Sequence, residues 1–277
     1  MPLARRTWLF FPGADAAAHR AAARSGADVI VLELEDFTPP ALRAKARSLS
    51  APAFALWRKS GALAAVRINP LEADGLVDLA GIERPDVLMM SKVARPEEVE
   101  RLAAAAPPDV ELVPNIESAP GLVRTAEIAR ASKRVTALLI ASEDMVADLG
   151  TERSRDGVEL AYVRARFLVE CRAAGVEAID CPYTFSDVKG AVADARYAKR
   201  LGYRMKSVVD PSHARAINAV FTPSARELAH ARKIVVAFER ARAAGRERAK
   251  VDGALIEVPI YAAAKRLLSS VMPASRP

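Results

Sequence analysis

The residues of this chain that could do chemistry recur at the ends of short apolar runs. Glu33-Leu34-Glu35-Asp36 follows one run, Arg67-Ile68-Asn69 closes another, and Lys92 ends a third. Asn115-Ile116-Glu117 and Ser142-Glu143-Asp144 follow two more, and Asp180 and Lys206 belong to the last two. One charged strand end is ordinary, since it can cap a helix or form an exposed pair. Seven such ends, placed around one rim, imply a polar site. Carboxylates with no histidine among them suit a hard cation such as Mg²⁺, which takes one or two protein carboxylates plus water and substrate oxygens. His19, His213 and His230 are scattered, which argues against zinc. The chain has no G-x-S-x-G elbow, no Cys/His pair and no P-loop, so covalent nucleophilic chemistry and nucleotide hydrolysis are not expected.

The elements that must position these groups alternate. Candidate strands are Thr7–Phe11, Val29–Glu35, Ala64–Ile68, Val87–Lys92, Val110–Ile116, Thr136–Ala141, Glu177–Cys181 and Arg204–Val208. Between them lie Ala-rich amphipathic stretches, among them Asp15–Ser25, Leu42–Ser50, Pro96–Ala106, Gly121–Ala131, Val158–Ala174 and Asp187–Leu201. Nearly continuous apolar strands belong to a parallel sheet covered on both faces. About eight β/α repeats in roughly 220 residues match an α/β fold of the (β/α)₈ TIM-barrel type, whose catalytic groups sit at the C-terminal strand ends. An open doubly wound sheet would usually carry G-x-G-x-x-G after its first strand, and Phe11-Pro12-Gly13-Ala14-Asp15 does not. The expected division is a barrel over 1–222 and a C-terminal helix with a lid-like tail over 223–277.

With 277 residues, 51% of them hydrophobic, the chain can bury a full core, which excludes disorder as its main state. The longest apolar run, Val135 to Ala141, is about a third of a membrane crossing. Near the N-terminus, Pro12-Gly13 and Asp15 interrupt what a secretory signal would need, so a cytoplasmic enzyme without membrane contact is expected. Cys171 and Cys181 are too few for a disulfide framework and read as buried small hydrophobes. Five of the seven net positive charges fall within residues 226–250. That run is most simply a solvated helix face, and more sharply a landing surface for an anionic ligand or a neighbouring subunit. With aromatics at 5%, a base-stacking platform for nucleic acid is not expected.

At these residues the sequence resembles the HpcH/HpaI aldolase and citrate lyase family, in its citrate lyase beta-subunit-like branch of CoA-ester lyases. The resemblance covers nearly the whole chain. It runs through Arg6-Thr7-Trp8-Leu9-Phe10-Phe11-Pro12-Gly13, Glu33-Leu34-Glu35-Asp36, Val66-Arg67-Ile68-Asn69, Ile116-Glu117 with Gly121, and Asp144 with Ala147-Asp148-Leu149-Gly150. It implies a barrel whose C-terminal extension packs on a neighbouring subunit of a homo-oligomer, a trimer or hexamer. It also implies that Glu117 and Asp144 bind Mg²⁺, that Glu35 and Asp36 hold its water shell, and that Arg67 grips the substrate, with Lys92 beside it. The implied reaction cleaves or forms a 3-hydroxyacyl-CoA of the malyl- or citramalyl-CoA type, giving an acyl-CoA and a 2-oxo acid. Glu257 stands where some relatives place a catalytic aspartate of the adjacent subunit.

Three departures mark this chain: Ala141 stands for a glycine, Ser91 for a proline, and Asp210 for the histidine of G-K-x-x-I-H-P. They keep open a CoA-independent Mg²⁺-dependent pyruvate-type aldolase, an acyl-CoA thioesterase, and a carboxylate-binding barrel without turnover.

Overall fold

Each of the eight expected apolar runs forms a strand in the computed structural model, which describes residues 5–269. They are β1 (Thr7–Pro12), β2 (Val29–Glu33), β3 (Leu63–Ile68), β4 (Val87–Met90), β5 (Glu111–Ile116), β6 (Ala137–Ile140), β7 (Glu177–Asp180) and β8 (Met205–Val208). All neighbours are parallel, and β8 returns to β1 with Lys206 opposite Thr7 and Val208 opposite Leu9. The result is a closed (β/α)₈ barrel with no edge strand. Residues 1–4 and 270–277, the outer ends of the two expected segments, lie outside the described residues.

Alternation along the strands separates two layers of core. Trp8, Phe10, Val29, Val31, Ala65 and Val87 are among the side chains that fill the barrel interior. Their neighbours, such as Leu9, Ile30, Val66 and Leu88, pack outward against the helices. The helices carry their own start and stop signals. Asp187 caps Val188–Leu201 by accepting the Gly190 N–H at 2.6 Å, and Gly202 ends that helix at φ 117°. Two expected helices differ: Gly121–Ala131 becomes Ala119–Val123 followed by Thr125–Arg130, and Leu42–Ser50 becomes Arg43–Ser48 followed by Ser50–Lys59. Pro52 explains the second break, because it has no N–H to offer the Ser48 carbonyl and its ring crowds that group.

The described residues divide into two compact units, 5–221 and 222–269. In the second, the helix Ala225–Ala243 starts at a capping box in which Ser224 and Glu227 satisfy each other's backbone N–H groups. The tail beyond it is an antiparallel hairpin, β9 (Ala249–Val251) and β10 (Ala254–Ile256), followed by the helix Val258–Ser269. Asp252 and Gly253 make its two-residue turn, both at positive φ. Ile234, Phe238, Val251, Ile256 and Ala264 form this unit's core, with Tyr261 stacked on Phe238 at 4.6 Å.

Among the described residues, no helix is long and apolar enough to cross a membrane.

Candidate functional site

The polar rim starts from strand parity. Val29 and Val31 face the barrel interior, so Glu33, two residues further on, faces it too. Ala65 leads in the same way to Arg67, directly opposite Glu33 in the ladder. The two meet: Arg67 Nε donates to Glu33 Oε1 at 2.9 Å, and both side chains are buried. The Glu33 carboxylate also accepts the backbone N–H groups of Glu35 (2.8 Å) and Phe37 (2.7 Å), which fixes the turn that carries Glu35 and Asp36. Thr38 donates its hydroxyl to the Glu33 carbonyl at 2.5 Å and accepts from the Gly13 N–H at 2.9 Å. Gly13 is required there, since a Cβ would lie 2.8 Å from the Glu33 carbonyl oxygen and 2.7 Å from Ala46 Cβ.

Arg67 is held by one edge only. Its terminal nitrogens lie 3.3 Å from Glu35, 3.5 Å from Glu117 and 3.9 Å from Asp36, beyond good hydrogen-bond length. Phe10 and Phe37 lie under the guanidinium, with centroids at 5.3 and 5.9 Å. Burial opposes its charge, but Glu33, Glu117 and Glu35 outweigh that and raise its pKa.

Lys92 donates to Glu35 and lies 3.5 Å from Asp36. Its backbone is left-handed at φ 57°, an uncommon state for a residue with a side chain. The flanking N–H groups hold it there, Ser91 bonding to the Ile68 carbonyl (3.2 Å) and Val93 to that of Asn115 (3.0 Å). Burial works against the ammonium, yet Glu35 and Asp36 raise its pKa.

Glu117 lies just past β5 and is 2% exposed, with no hydrogen bond to either carboxylate oxygen. Burial pushes its carboxyl up to about 8; Arg67 counters this, while Asp144 and Glu35 add to it. Glu35 is raised as well, by burial first and with Arg67 and Lys92 opposing, and its Oε2 has no hydrogen-bond partner. Asn115, one pleat below Glu117, is fully buried with both amide atoms unpartnered.

Asp144 is the second residue of the helix Glu143–Leu149. Asp148 on that helix accepts the Ala119 N–H at 2.7 Å and ties it to the helix Ala119–Val123, which follows Glu117. Gly121 lets the helix Ala119–Val123 approach the loop after β4, because a Cβ there would lie 2.6 Å from the Val93 carbonyl oxygen.

The donor set suits a hard cation. Three buried carboxylate oxygens, two on Glu117 and one on Glu35, lack hydrogen-bond partners. Among the described residues no group of three or more His, Cys, Asp or Glu is arranged to hold a metal. A closed protein cage is therefore absent from them; Mg²⁺, which takes one or two protein carboxylates and keeps its other positions for water and substrate, does not require one.

Arg67, Glu35, Asp36, Lys92, Glu117 and Asp144 thus gather at one rim. Glu257 belongs to the second unit, where it is exposed and pairs with Arg248 at 3.1 Å.

Asp180 and Lys206, placed on the rim by sequence, are not part of it. Ile179 and Met205 face the interior, so Asp180 and Lys206 face outward. There Lys206 meets Asp180 at 2.6 Å and Asp194 at 2.5 Å, and Arg164 meets the same two carboxylates at 2.6 and 2.7 Å. This buried network joins β7 and β8 to the helices Ala161–Ala174 and Val188–Leu201. At the histidine departure, Asp210 caps a short turn by accepting the Ser212 N–H at 2.8 Å.

Sequence reasoning missed two supports. Glu33 stands among the strand-end carboxylates with no role of its own assigned to it, although its parity with Val29 and Val31 marks it as inward. The second is Asp78, fully buried, which accepts from Asn69 Nδ2 at 2.8 Å and from Arg47 at 2.8 Å; Asn69 also donates to the Leu34 carbonyl at 3.0 Å. Together they lock the loops after β2 and β3. Nothing in the spacing of Asp78 announces this.

A model of the HpcH/HpaI aldolase/citrate lyase family matches residues 6–211. The citrate lyase subunit beta of Haemophilus influenzae is 31% identical over 278 residues, covering 95% of this chain and 96% of that one. A (3S)-malyl-CoA thioesterase of Cereibacter sphaeroides is 30% identical over 256 residues, covering 91% and 89%. The structure of CitE from Mycobacterium tuberculosis in complex with magnesium, acetoacetate and coenzyme A superposes with a TM-score of 0.79 at 27% identity, over 97% of this chain and 98% of that one.

Proposed function

The chain belongs to the HpcH/HpaI aldolase/citrate lyase family of CoA-ester lyases, and we propose that it is a Mg²⁺-dependent carbon–carbon lyase acting on a 3-hydroxyacyl-CoA of the malyl- or citramalyl-CoA type. The observation that carries this reading is the pairing of Arg67, whose terminal nitrogens make no hydrogen bond, with the unpartnered Glu117 carboxylate 3.5 Å away. A cationic fork beside an open carboxylate is a seat for a 2-oxo acid and the cation it chelates. The magnesium and coenzyme A bound to CitE support the same reading.

Glu117 and Asp144 would hold Mg²⁺, with Glu35 and Asp36 on its water shell, and the ion would act as a Lewis acid for the oxygen whose charge changes as the C–C bond breaks. Arg67, fixed by Glu33, binds the substrate carboxylate in one orientation and excludes others. Lys92 holds Glu35 in place and adds positive charge beside the incoming acid. In cleavage the substrate hydroxyl loses its proton and becomes the carbonyl of the 2-oxo acid. The C–C bonding pair passes to the acyl-CoA as an enolate, which then takes up a proton. Glu257, brought by the C-terminal segment of a neighbouring subunit in a homotrimer or hexamer, is assigned that proton traffic.

Likeness to the (3S)-malyl-CoA thioesterase favours a second reading, hydrolysis of the thioester. Release of free CoA without a new acyl-CoA would distinguish it.

Calorimetric titration with Mg²⁺ tests the metal assignment. Glu117→Ala and Asp144→Ala should each abolish the binding isotherm and Mg²⁺-dependent turnover; wild-type affinity in either variant would remove that residue from the site.

A further inference from the structure

We propose that Arg153 is a positioning residue for Asp144: it fixes the helical turn that carries this carboxylate and so sets the affinity of the rim for its cation. This rests on the metal reading above. Asp144 belongs to a helix of seven residues, Glu143–Leu149, too short to hold its shape by its own hydrogen bonds. A side-chain cap would ordinarily fix the entry to such a helix. Ser142, at the cap position, is itself in helical conformation and makes no side-chain cap bond among the described residues.

The polar ties of this helix sort by the turn they hold. Gly150, left-handed at φ 66°, closes the C-terminal end, where the N–H groups of Gly150 and Thr151 bond to the Ala147 and Val146 carbonyls, each at 3.1 Å. Asp148, which accepts the Ala119 N–H, is also in the last turn. The first turn is held through Glu143, whose carboxylate accepts from Arg153 Nε at 3.1 Å. The Ser142 hydroxyl, 3.5 Å from the same oxygen, adds little.

Arg153 is anchored independently of that helix. Its Nη1 donates to Glu159, a buried carboxylate in the turn Val158–Leu160. Glu159 also accepts the Ser154 N–H at 3.2 Å and the Ser154 hydroxyl, and Ser154 Oγ in turn accepts the Gly157 N–H at 3.2 Å. Phe185, in the loop after β7, lies under the guanidinium with its centroid at 5.9 Å. The Arg153 side chain is therefore 13% exposed although it sits on a loop. One guanidinium spans two carboxylates with two different nitrogens, one carboxylate on the scaffold and one beside Asp144. A lysine ammonium has no such fork. Glu143 is more than half exposed, so the pair adds little to global stability, and its effect falls on where the Asp144 carboxylate stands.

The sign of the effect decides. By charge alone, removing a cation near the rim would strengthen Mg²⁺ binding. Losing the orientation of a ligand weakens it, by about tenfold or more. The test is calorimetric Mg²⁺ titration of the full-length chain carrying Arg153→Ala, Arg153→Lys or Arg155→Ala, with metal-free thermal unfolding of each. Arg155 is on the same loop but pairs with Asp187 at 2.7 Å, away from Glu143. Mg²⁺ affinity should fall at least about tenfold in Arg153→Ala and at least about threefold in Arg153→Lys, and stay within about twofold of wild type in Arg155→Ala. Arg153→Lys keeps the charge and decides the matter should Arg153→Ala unfold. Wild-type or tighter affinity in the Arg153 variants, with a lowered melting temperature, would make Arg153 a structural tie and overturn the proposal. Equal weakening in Arg155→Ala would place the effect in the loop as a whole and overturn it too. The two readings fail separately. Unchanged Mg²⁺ binding in Asp144→Ala would remove the metal assignment, whereas binding lost in Asp144→Ala and unchanged in Arg153→Ala would remove the positioning role alone.

Discussion

Replacing Glu117 by glutamine should make the metal-free protein more stable, and by an amount that grows with pH. Glu117 titrates at about 8 in the fold against an ordinary value of 4.5, because burial and the neighbouring Asp144 and Glu35 disfavour its ionised form. The folded state therefore binds a proton that the unfolded chain has released. Stability from this group is complete below pH 4.5 and is lost as pH rises through 8. Relative to a carboxyl of ordinary pKa, the fold loses about 2 kcal/mol at pH 6 and about 4–5 kcal/mol at pH 8.5. Glutamine keeps the shape and cannot ionise. The gap between variant and wild type should widen by about 2–3 kcal/mol from pH 6 to pH 8.5, which is about 5–10 °C in melting temperature. Thermal unfolding in chelator at the two pH values measures it, and saturating Mg²⁺ should then stabilise the wild type and not the variant. Parallel stability–pH curves for the two proteins would refute the burial argument.

Arg67→Lys should lose at least about 100-fold in turnover, because a single ammonium cannot both hold Glu33 and present two further donors; a rate within threefold of wild type would remove Arg67 from substrate binding. Asp180→Ala should cost about 3–5 kcal/mol of stability by leaving Lys206 and Arg164 buried with one carboxylate fewer. Mg²⁺ affinity of the folded fraction should stay unchanged in that variant. Denaturant titration and calorimetry report the two quantities separately, and a loss of Mg²⁺ binding would return Asp180 to the rim.

The barrel was legible because each strand is apolar on both faces and each is followed by an amphipathic stretch. The rim was legible in part. Glu35, Arg67, Lys92, Glu117 and Asp144 fall at strand ends, and chain order alone brings those ends to one mouth. Which face a strand-end charge takes depends on its phase relative to the interior side chains. Reading that phase from Val29 and Val31 would have placed Glu33 inside, and reading it from Ile179 and Met205 would have placed Asp180 and Lys206 outside. The Asn69–Asp78–Arg47 lock depends on how the loop after β3 and two helices, Arg43–Ser48 and Leu76–Gly81, meet in space, and no local pattern encodes that. The tail behaves similarly, since the Asp252-Gly253 turn is a readable hairpin signal but the helix Val258–Ser269 buries its apolar face in a small core with Ile234, Phe238 and Val251.

Mass spectrometry of acetyl-CoA or propionyl-CoA incubated with glyoxylate, pyruvate or oxaloacetate, with and without Mg²⁺, tests the lyase assignment most directly. A new 3-hydroxyacyl-CoA that forms only with Mg²⁺, and not with Arg67→Lys, is the predicted result. No condensation product from any pair, with intact acyl-CoA recovered, would contradict it.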